Sequence, residues 1–289
     1  MSVLLSFGHG YSARALTPHL LARGWQVIGT TRSADKARAL RAEGVTAVRF
    51  GDPLGAELAR ATHVLTSAAP DAEGDPVLAA YGPALEAHLG QAAWVGYLST
   101  TGVYGDHGGG WVDEATAPAP TTRRGRWRVA AEAAWTALCD RAGAPLHVFR
   151  LAGIYGPGRG PFAKVRAGTA RRIVKPGQVF SRIHVDDIAQ VLLASIDRPN
   201  PGAAYNLCDD DPAPPEDVIA EAARLLGVPV PPAEDFDTAE MTEMARSFYA
   251  ESKRVRNDRI KDELGVRLRH PDYRAGLAAL LAAEDPPDA

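Results

Sequence analysis

A short glycine-containing segment near the start of the chain has the spacing of a phosphate-binding turn. It follows the pattern G-x-G-x-x-A, after an apolar stretch and before a segment with helical spacing. The first glycine allows a tight turn, the second lets a diphosphate approach the backbone, and the alanine still allows close helix–sheet packing. The first turn of the helix adds amide donors and the positive end of its dipole. We therefore predict a dinucleotide-binding site at Gly8, Gly10, Tyr11, Ser12 and Ala13.

The end of the second predicted strand indicates which dinucleotide would bind. Sites for NAD usually carry an acidic residue there, which holds the 2′-hydroxyl of the adenine ribose. Here the strand ends in Thr31, Arg32 and Ser33, without an acid. An arginine at this place suits a 2′-phosphate, and the two hydroxyls are further donors. The sequence thus favours NADP(H) over NAD(H), whereas a solvated Arg32 at a helix start is the alternative interpretation.

The composition argues against several other classes of protein. The chain has 289 residues, 46% hydrophobic and 23% charged, and its net charge of −3 argues against a basic nucleic-acid-binding surface. Its two cysteines, Cys139 and Cys208, are too few for a disulfide framework and lack a metal-ligand spacing, so no metal is predicted. No apolar run approaches the ~20 residues of a membrane span, and no signal peptide is recognised. We expect a soluble cytoplasmic protein that binds neither nucleic acid nor membrane.

These candidate residues need elements to position them. Strand and helix alternate regularly from Val3 to Arg150, which predicts parallel strand pairing with helices on both faces of the sheet. We predict an α/β fold with a Rossmann-type doubly wound, mainly parallel seven-stranded sheet and a small C-terminal lobe. Residues 1–150 with 184–208 would form the NAD(P)-binding Rossmann domain. Residues 151–183 with 209–289 would form a smaller substrate or partner lobe across a cleft.

Some predicted helices bear directly on that cleft. The spacing of apolar residues predicts helices at Val129–Ala142, Glu216–Leu226, Glu240–Ser247 and Ser252–Leu264. The tail after Glu284 is rich in Pro and Asp, and we expect it to be frayed.

Three further segments carry motifs that occur together in one protein family. Residues 98–105 read LSTTGVYG, residues 149–158 read FRLAGIYGPG, and residues 182–189 read RIHVDDIA. They resemble the V-Y-G, R…YGPG and IHVDD-A segments of the extended short-chain dehydrogenase/reductases, the NAD-dependent epimerase/dehydratase group. The resemblance extends over residues 2–208 and implies that group's fold and a nicotinamide cofactor.

The resemblance also implies a catalytic Ser/Thr, with a Tyr and a Lys in Y-x-x-x-K spacing. In that family the Tyr is the acid/base, the Lys lowers its pKa and holds the nicotinamide ribose, and the Ser/Thr hydrogen-bonds the reacting oxygen. Thr100 matches the Ser/Thr position, but Arg124 stands where the Tyr is expected and Arg128 where the Lys is expected. Arginine stays protonated and cannot act as a general acid/base near neutral pH. Arg128 would still donate to the ribose, and Arg124 to an anionic substrate group.

The missing tyrosine leaves three interpretations of the function. The favoured one is an atypical family member that binds NADP(H) and has a rewired or degenerate active site. The second is an active reductase or epimerase on a phosphorylated or nucleotide-linked sugar, using another acid. Tyr104 and Tyr155 are the candidates for that acid, although a packing role is favoured for each. The third is a catalytically inactive NADP(H)-sensing or scaffold protein.

Two other sets of residues complete the predicted site. Ser67, Ala68 and Ala69 follow the fourth strand, where the family passes the adenine and its ribose. A basic cleft for an anionic small-molecule substrate would result if several of these converge: Arg123, Arg124, Arg126, Arg128, Arg159 and Lys164. The resemblance further implies a homodimer through the helices near residues 76–90 and 129–142.

Overall fold

A seven-stranded sheet forms the centre of the computed structural model, which describes residues 1–284. The strands are β1 Val3–Phe7, β2 Gln26–Thr31, β3 Thr46–Arg49, β4 His63–Thr66, β5 Trp94–Thr100, β6 Trp111–Val112, β7 Leu146–Leu151, β8 Gly153–Tyr155, β9 Arg172–Val174, β10 Arg182–His184, β11 Ala204–Leu207, β12 Ala233–Asp235 and β13 Arg254–Val255. The helices are α1 Tyr11–Ala22, α2 Ala34–Ala42, α3 Gly55–Arg60, α4 Pro76–His88, α5 Arg123–Ala142, α6 Phe162–Arg166, α7 Val185–Asp197, α8 Pro215–Leu225, α9 Glu243–Ser247, α10 Asp258–Asp262 and α11 Tyr273–Glu284. Within that described part of the chain, no helix has both the length and the apolar character of a membrane span.

The strand order of the central sheet is β11-β7-β5-β4-β1-β2-β3, and each pair of neighbours is parallel. The connections run outward from β1 in both directions, so the order reverses between β1 and β4. At such a reversal the loops after adjacent strands diverge and leave a crevice at the carboxyl edge of the sheet. The predicted α/β class and Rossmann-type seven-stranded sheet are confirmed.

Helices cover both faces of this sheet because its inner strands are apolar throughout. Every residue of β1, VLLSF, is buried. On one face α1 packs against α7, and Leu16, Leu20 and Leu192 share a core with the strands. On the other face α4 lies beside α5, with Leu85 and Trp135 in a second core. A homodimer through α4 and α5 stays a prediction.

A third core lies in the C-terminal part of the chain. Phe162 of α6, Ala222 of α8 and Leu277 of α11 pack together in it. Two small parallel strand pairs, β8 with β10 and β9 with β12, accompany these helices. These elements make up the lobe that stands over the carboxyl edge of the central sheet.

The chain returns from this lobe to the sheet before it ends. Ile260 and Leu264, in and after α10, pack into the core shared by α1 and α7. The division into residues 1–150 with 184–208 and residues 151–183 with 209–289 stays a prediction. The tail expected to be frayed, residues 285–289, lies outside the described residues.

The N-cap residues set the starts of two helices at positions other than those predicted: α5 begins earlier and α9 begins later. Helix α5 begins at Arg123 rather than Val129, since Oγ1 of Thr122 accepts the N–H of Gly125 at 3.1 Å. Its arginine-rich first turn has no apolar periodicity, which hid it from the sequence pattern. Helix α9 begins at Glu243 rather than Glu240, since Oγ1 of Thr242 accepts the N–H of Ala245 at 3.2 Å.

The helix predicted at Ser252–Leu264 is wrong in its first half. Arg254–Val255 form β13, which pairs in parallel with β6, and only Asp258–Asp262 are helical. The N–H of Ser252 donates to Oδ1 of Asp106 at 2.7 Å, so its backbone bonds to a distant loop instead of to its own segment. Tertiary hydrogen bonds have overridden the local helical spacing here.

Candidate cofactor and substrate site

The turn between β1 and α1 is closed on one side and open on the other. Gly8 has a φ of +69°, and a Cβ there would lie 3.2 Å from the backbone nitrogen of Ala68. The N–H of Gly8 donates to Oγ1 of Thr30 at 2.9 Å. A Cβ at Gly10 would meet only the carbonyl oxygen of Gly8, at 3.5 Å. The second glycine therefore borders free space, into which a ligand can approach the backbone.

Helix α1 presents uncapped amides to that open side. Gly10 is its N-cap residue, without a side-chain hydrogen bond, and its first turn contains no acid. The N–H of Arg14 is the one that bonds back to Gly10, at 2.8 Å, so the N–H groups of Tyr11, Ser12 and Ala13 have no helical partner. The side chains of Ser12 and Ala13 are buried against the sheet. These amides and the helix dipole fit the diphosphate of a dinucleotide.

The residue between the two glycines is part of the core. His9 is 5% exposed, and its Nε2 lies 2.9 Å from Oγ1 of Thr17. A Cβ at Gly29 of β2 would lie 2.8 Å from Cβ of His9, so β2 needs a glycine under this ring. Burial lowers the pKa of His9 to about 4, so the imidazole is neutral at pH 7.

Tyr11 connects the glycine turn to the loop after β8. Its hydroxyl donates to the carbonyl oxygen of Pro157 at 3.0 Å, and the guanidinium of Arg159 lies 5.2 Å from the centre of its ring. A Cβ at Gly156 would lie 2.5 Å from the Tyr11 hydroxyl oxygen. The predicted cofactor turn is thus in direct contact with the start of the lobe.

The three residues expected to select the cofactor lie at the end of β2 and the start of α2. Oγ of Ser33 caps α2 by accepting the N–H of Lys36 at 3.3 Å, and the N–H of Ser33 donates to Oγ1 of Thr31 at 3.3 Å. Arg32 is exposed and stacks over Phe50, 5.1 Å from its ring centre. Within residues 1–284 it forms no ion pair, which leaves its charge available to an anion.

The loop after β4 closes the same crevice from the other side. Oγ of Ser67 donates to the carbonyl oxygens of Phe7 and Gly8, which fixes this loop to the turn. Ala68 packs against Gly8, and Ala69 is exposed at the entrance of a large cavity. The small residues predicted to flank an adenosine therefore do lie next to the glycine turn.

This cavity, of about 790 Å³, separates the carboxyl edge of the sheet from the lobe. It is bordered on the sheet side by residues at the ends of β4 and β5 and the start of α5, and on the lobe side by β8, β10 and residues 247–255. Several hydroxyl and charged side chains line it: Thr100, Arg123, Arg124, Arg128, Tyr155, Arg182, Glu251 and Lys253. Five of these are cations and one is a carboxylate.

Thr100 and the two α5 arginines meet in this cavity, as the resemblance implied. Oγ1 of Thr100 accepts the N–H of Gly102 at 3.1 Å, which leaves its hydroxyl proton free to donate. Nη1 of Arg128 donates to the Tyr97 hydroxyl and to the carbonyl oxygen of Leu98, both at 2.9 Å. Arg128 is therefore a fixed cation at the end of β5.

Arg124 is held more loosely than Arg128. It is exposed, and its guanidinium lies 5.7 Å from the ring centre of Phe248. Phe248 is itself 58% exposed and comes from the segment after α9. Arg124 therefore stands at the mouth of the cavity, where it can reach a charged part of a ligand.

Tyr104 does not reach the cavity, contrary to the expectation that it borders the cleft. Its side chain is fully buried, and its hydroxyl donates to Oδ1 of Asn206 at 2.7 Å and accepts from Nη1 of Arg150 at 3.0 Å. Burial raises its pKa. Arg150 also pairs with the buried Glu132 at 2.9 Å, so Tyr104 belongs to a structural network behind the sheet edge.

Tyr155 lines the cavity with its ring, but its hydroxyl points into the lobe. A Cβ at Gly276 of α11 would lie 2.0 Å from that hydroxyl oxygen, and the hydroxyl is 3.4 Å from the carbonyl oxygen of Asp272. Burial raises the pKa of Tyr155, and the nearby Asp209 adds to the effect. These contacts are those of a packing residue between β8 and α11.

The sequence patterns missed two ionic residues of the cavity, Glu251 and Lys253. Lys253 fell within the helix predicted at Ser252–Leu264 and Glu251 directly before it, whereas in the structure both lie outside any helix, just before β13. A weak signal existed: Lys253 is one of five lysines among 32 basic residues, so arginine is otherwise strongly preferred. Of the predicted basic cluster, Arg126, Arg159 and Lys164 are exposed and lie outside the cavity lining.

His184 forms a contact between the sheet and the lobe. Its ring lies 3.9 Å from that of His270, and its Nδ1 accepts the N–H of Asp186 at 3.2 Å. The carboxylate of Asp187 accepts the N–H groups of Arg269 and His270, at 2.7 and 3.1 Å. Ligand atoms of His184, Asp186 and His270 lie within 4.8 Å of one another. The two rings are tilted by 47°, and Nδ1 of His184 is engaged by the N–H of Asp186, so we assign no metal here.

Comparison with known proteins finds one matching family model and several similar proteins. The model of a family described as "NAD dependent epimerase/dehydratase family" matches residues 84–208. Protein YeeZ of Escherichia coli (strain K12) is 29% identical over 280 residues, covering 92% of this chain and 95% of that protein.

Two solved structures illustrate the likeness of fold. A functionally unknown conserved protein from Silicibacter pomeroyi DSS is 60% identical with a TM-score of 0.93, covering 99% of this chain and 100% of that chain. The UDP-glucuronic acid 4-epimerase from Bacillus cereus, in complex with NAD, is 16% identical with a TM-score of 0.75 over 96% of each chain.

Proposed function

We propose, from the match of residues 84–208 to the model of the NAD dependent epimerase/dehydratase family, that the chain is a nicotinamide-dependent enzyme of the oxidoreductase or sugar epimerase/dehydratase kind. We propose NADP(H) as its cofactor and an anionic, phosphorylated or nucleotide-linked molecule as its substrate. The observation that carries this proposal is an open glycine turn next to a cavity lined by five cations and one carboxylate.

The residues of the turn support the cofactor assignment. Gly10 lets a diphosphate approach the backbone, and the free N–H groups of residues 11–13 are its donors. The ring of a bound nicotinamide would supply hydride chemistry. Because Nη1 of Arg128 is engaged by the end of β5, we propose its Nε and Nη2 as donors to a ribose.

The choice of NADP(H) rests on Arg32. Its guanidinium is exposed, is positioned by stacking on Phe50, and has no ion-pair partner within residues 1–284. A 2′-phosphate would supply that partner, whereas a 2′-hydroxyl would leave the charge unmatched. The complex of the Bacillus cereus epimerase contains NAD, so this preference is a feature we propose for the present chain.

The charge of the cavity supports an anionic substrate. Arg123, Arg124 and Arg128 reach it from α5, and Arg182 and Lys253 from the opposite side, against the single carboxylate of Glu251. Positive charges that converge in a cleft favour carboxylate or phosphate ligands. The name of one structural neighbour includes a sugar nucleotide with both groups, UDP-glucuronic acid.

Within this site Thr100 would orient the substrate oxygen. Its hydroxyl oxygen accepts the N–H of Gly102, so the hydroxyl proton can be donated to a ligand. Arg124 and Arg128 cannot exchange protons with the substrate at neutral pH. Turnover therefore depends on a proton donor other than these two, and a protein that binds the cofactor without turnover would be the NADP(H)-sensing alternative.

The first experiment is a titration of the purified protein with NADPH and with NADH, followed by nicotinamide fluorescence. We expect tighter binding of NADPH. The variant Arg32→Glu should weaken NADPH binding by about tenfold or more and change NADH binding much less, because it removes a charge-assisted pair with the 2′-phosphate. A matched control is Arg38→Glu, which changes an exposed arginine of α2 that pairs with Asp35.

Equal losses for both dinucleotides in Arg32→Glu would contradict the NADP(H) assignment, and binding of neither by the wild type would contradict the cofactor site itself. Incubation of the NADPH complex with anionic carbonyl compounds then separates the two functions. Oxidation of NADPH supports an enzyme, and tight binding without any oxidation supports the sensing alternative.

A further inference from the structure

Lys253 is a buried cation that lines the cavity, and its ammonium group has only part of its donors engaged. The residue is 9% exposed and lines the cavity. Its Nζ donates to the carbonyl oxygen of Gly105 at 2.7 Å and to Oε2 of Glu251 at 2.9 Å. An ammonium group carries three N–H donors in tetrahedral arrangement. These two bonds therefore leave one N–H donor of Lys253 without a partner in the described part of the chain.

Glu251 helps to fix the position of this lysine. Its Oε1 accepts the hydroxyl of Thr121 at 2.6 Å while its Oε2 accepts from Lys253. Burial alone would raise the pKa of Glu251, but the bonds from Thr121 and Lys253 outweigh it and lower the pKa. At neutral pH Glu251 is thus a carboxylate, and its Oε2 lies 2.9 Å from Nζ of Lys253.

The backbone on either side of Lys253 is tied to two other loops. The N–H of Ser252 donates to Asp106, and its carbonyl oxygen accepts the N–H groups of His107 and Gly109 at 3.1 and 2.9 Å. Oγ of Ser252 accepts the N–H of Val179 at 3.1 Å. A side chain supported by this many backbone bonds is preorganised, as ligand-binding residues generally are.

We propose that Lys253 is a substrate-binding residue whose third N–H donates to an anionic oxygen of the ligand in the cavity. This inference rests on the anionic substrate of the proposed function and names the residue that contacts it. Burying a charged pair costs desolvation energy that a purely structural pair of this kind seldom repays. A hydrogen bond from the free N–H of Lys253 to an anionic ligand would offset part of that desolvation cost. The compact ammonium would contact a single oxygen atom of the ligand, beside the planar guanidinium groups of the α5 arginines.

The test uses the full chain in complex with NADPH and follows lysine side-chain NH₃⁺ groups by ¹H–¹⁵N NMR. Since the chain has five lysines, each signal can be assigned by substitution. The probes are UDP for the diphosphate, glucuronic acid for the carboxylate, and glucose as an uncharged control. We expect UDP or glucuronic acid, but not glucose, to shift the Lys253 signal, and the one that does identifies the anionic group.

Affinity is measured on variants by calorimetry with the same probes. Lys253→Met should weaken binding of the effective anion by about tenfold or more, the usual effect of losing a charge-assisted hydrogen bond. Lys253→Met alone leaves the carboxylate of Glu251 without its cationic partner, which could destabilise the fold. The double variant Glu251→Gln/Lys253→Met removes both charges and is therefore the second variant to be measured. Lys261→Met is the matched control, since Lys261 pairs with Asp210 outside the cavity.

The proposal is overturned if both anions leave the Lys253 signal unchanged, or if the double variant binds them like wild type. Either result can coexist with normal NADPH binding, in which case the cofactor part of the proposed function stands. Conversely, a protein that fails to bind NADPH but whose Lys253 signal still shifts with UDP or glucuronic acid would support this inference alone.

Discussion

The two ends of the proposed site differ in the kind of group that forms them: backbone at one end and charged side chains at the other. The cofactor end, meaning residues 8–13, 29–33 and 67–69, consists largely of backbone: a glycine turn, free amides and a loop bonded to that turn. The substrate end, meaning the cavity-lining residues of α5, β10 and 247–255, consists of charged side chains from elements far apart in the chain. The first end depends on local conformation, and the second depends on which elements meet.

Charge is distributed accordingly. The turn itself contains no formal charge, since His9 is neutral and α1 has no acid in its first turn. The substrate end has more cations than carboxylates. Buried ion pairs also lie near it, including the pair of Arg150 with Glu132. Apart from Arg32, whose charge we assign to the cofactor, we therefore expect charge removal to disturb the substrate end and backbone substitution to disturb the cofactor end.

The largest effect on stability is expected from Glu132→Ala. It would leave Arg150 buried without its carboxylate partner, at a cost of about 3–5 kcal/mol in the free energy of unfolding. Denaturant unfolding measures this cost. The control Glu86→Ala breaks the surface pair of α4 with Arg141 on the same α5 helix, and should leave stability unchanged. Similar losses in both variants would mean that the buried network does not support the substrate end.

An intermediate effect is expected from Gly8→Ala at the cofactor end. A side chain at a φ of +69° is strained, and its Cβ would press on Ala68 at 3.2 Å, so we expect a loss of about 1–3 kcal/mol and weaker NADPH binding. The control is Gly24→Ala, at a φ of +73° with nothing within 4 Å. It should show the backbone cost without the loss of cofactor. Unchanged NADPH affinity in Gly8→Ala would contradict the role of the turn.

The smallest effects concern pH, where His9 in the glycine turn and Asp209 beside the substrate end should respond in opposite directions. Burial raises the pKa of Asp209, close to Arg182, to about 8 from 3.8, so the folded chain retains a proton that the unfolded chain releases. Its contribution to stability is lost as pH rises from about 4 to about 8. For His9, with its pKa lowered to about 4 from 6.5, the unfolded chain binds the extra proton, and stability is lost as pH falls from about 6.5 to about 4.

Unfolding measured across this range checks both signs. Relative to wild type, Asp209→Asn should become progressively more stabilising toward pH 8, and His9→Asn progressively more stabilising toward pH 4. A parallel offset at every pH would show that these groups do not titrate as their burial indicates.

The same contrast explains which inferences from the sequence held. The pattern G-x-G-x-x-A between β1 and α1 located the turn because its geometry is set by adjacent residues, and the continuous apolar strands indicated a sheet covered on both faces. The sequence favoured a packing role for Tyr104 but could not name its partners, because Arg150 and Asn206 lie far along the chain. The helix predicted over Ser252 failed for the same reason, since Asp106 and β6 capture that segment.

By itself the sequence determined the α/β class, the alternation of strands and helices in the central sheet, and the turn that faces the sheet's crevice, because each of these follows from short-range periodicity and from the conformational freedom of glycine. Only the tertiary structure decided that Lys253 and Glu251 join Thr100, Arg124 and Arg128 in one cavity. Nothing in the local sequence encodes the distance between residues that are more than a hundred positions apart. Packing of the lobe on the sheet sets that distance, and the chemistry of the cavity depends on it.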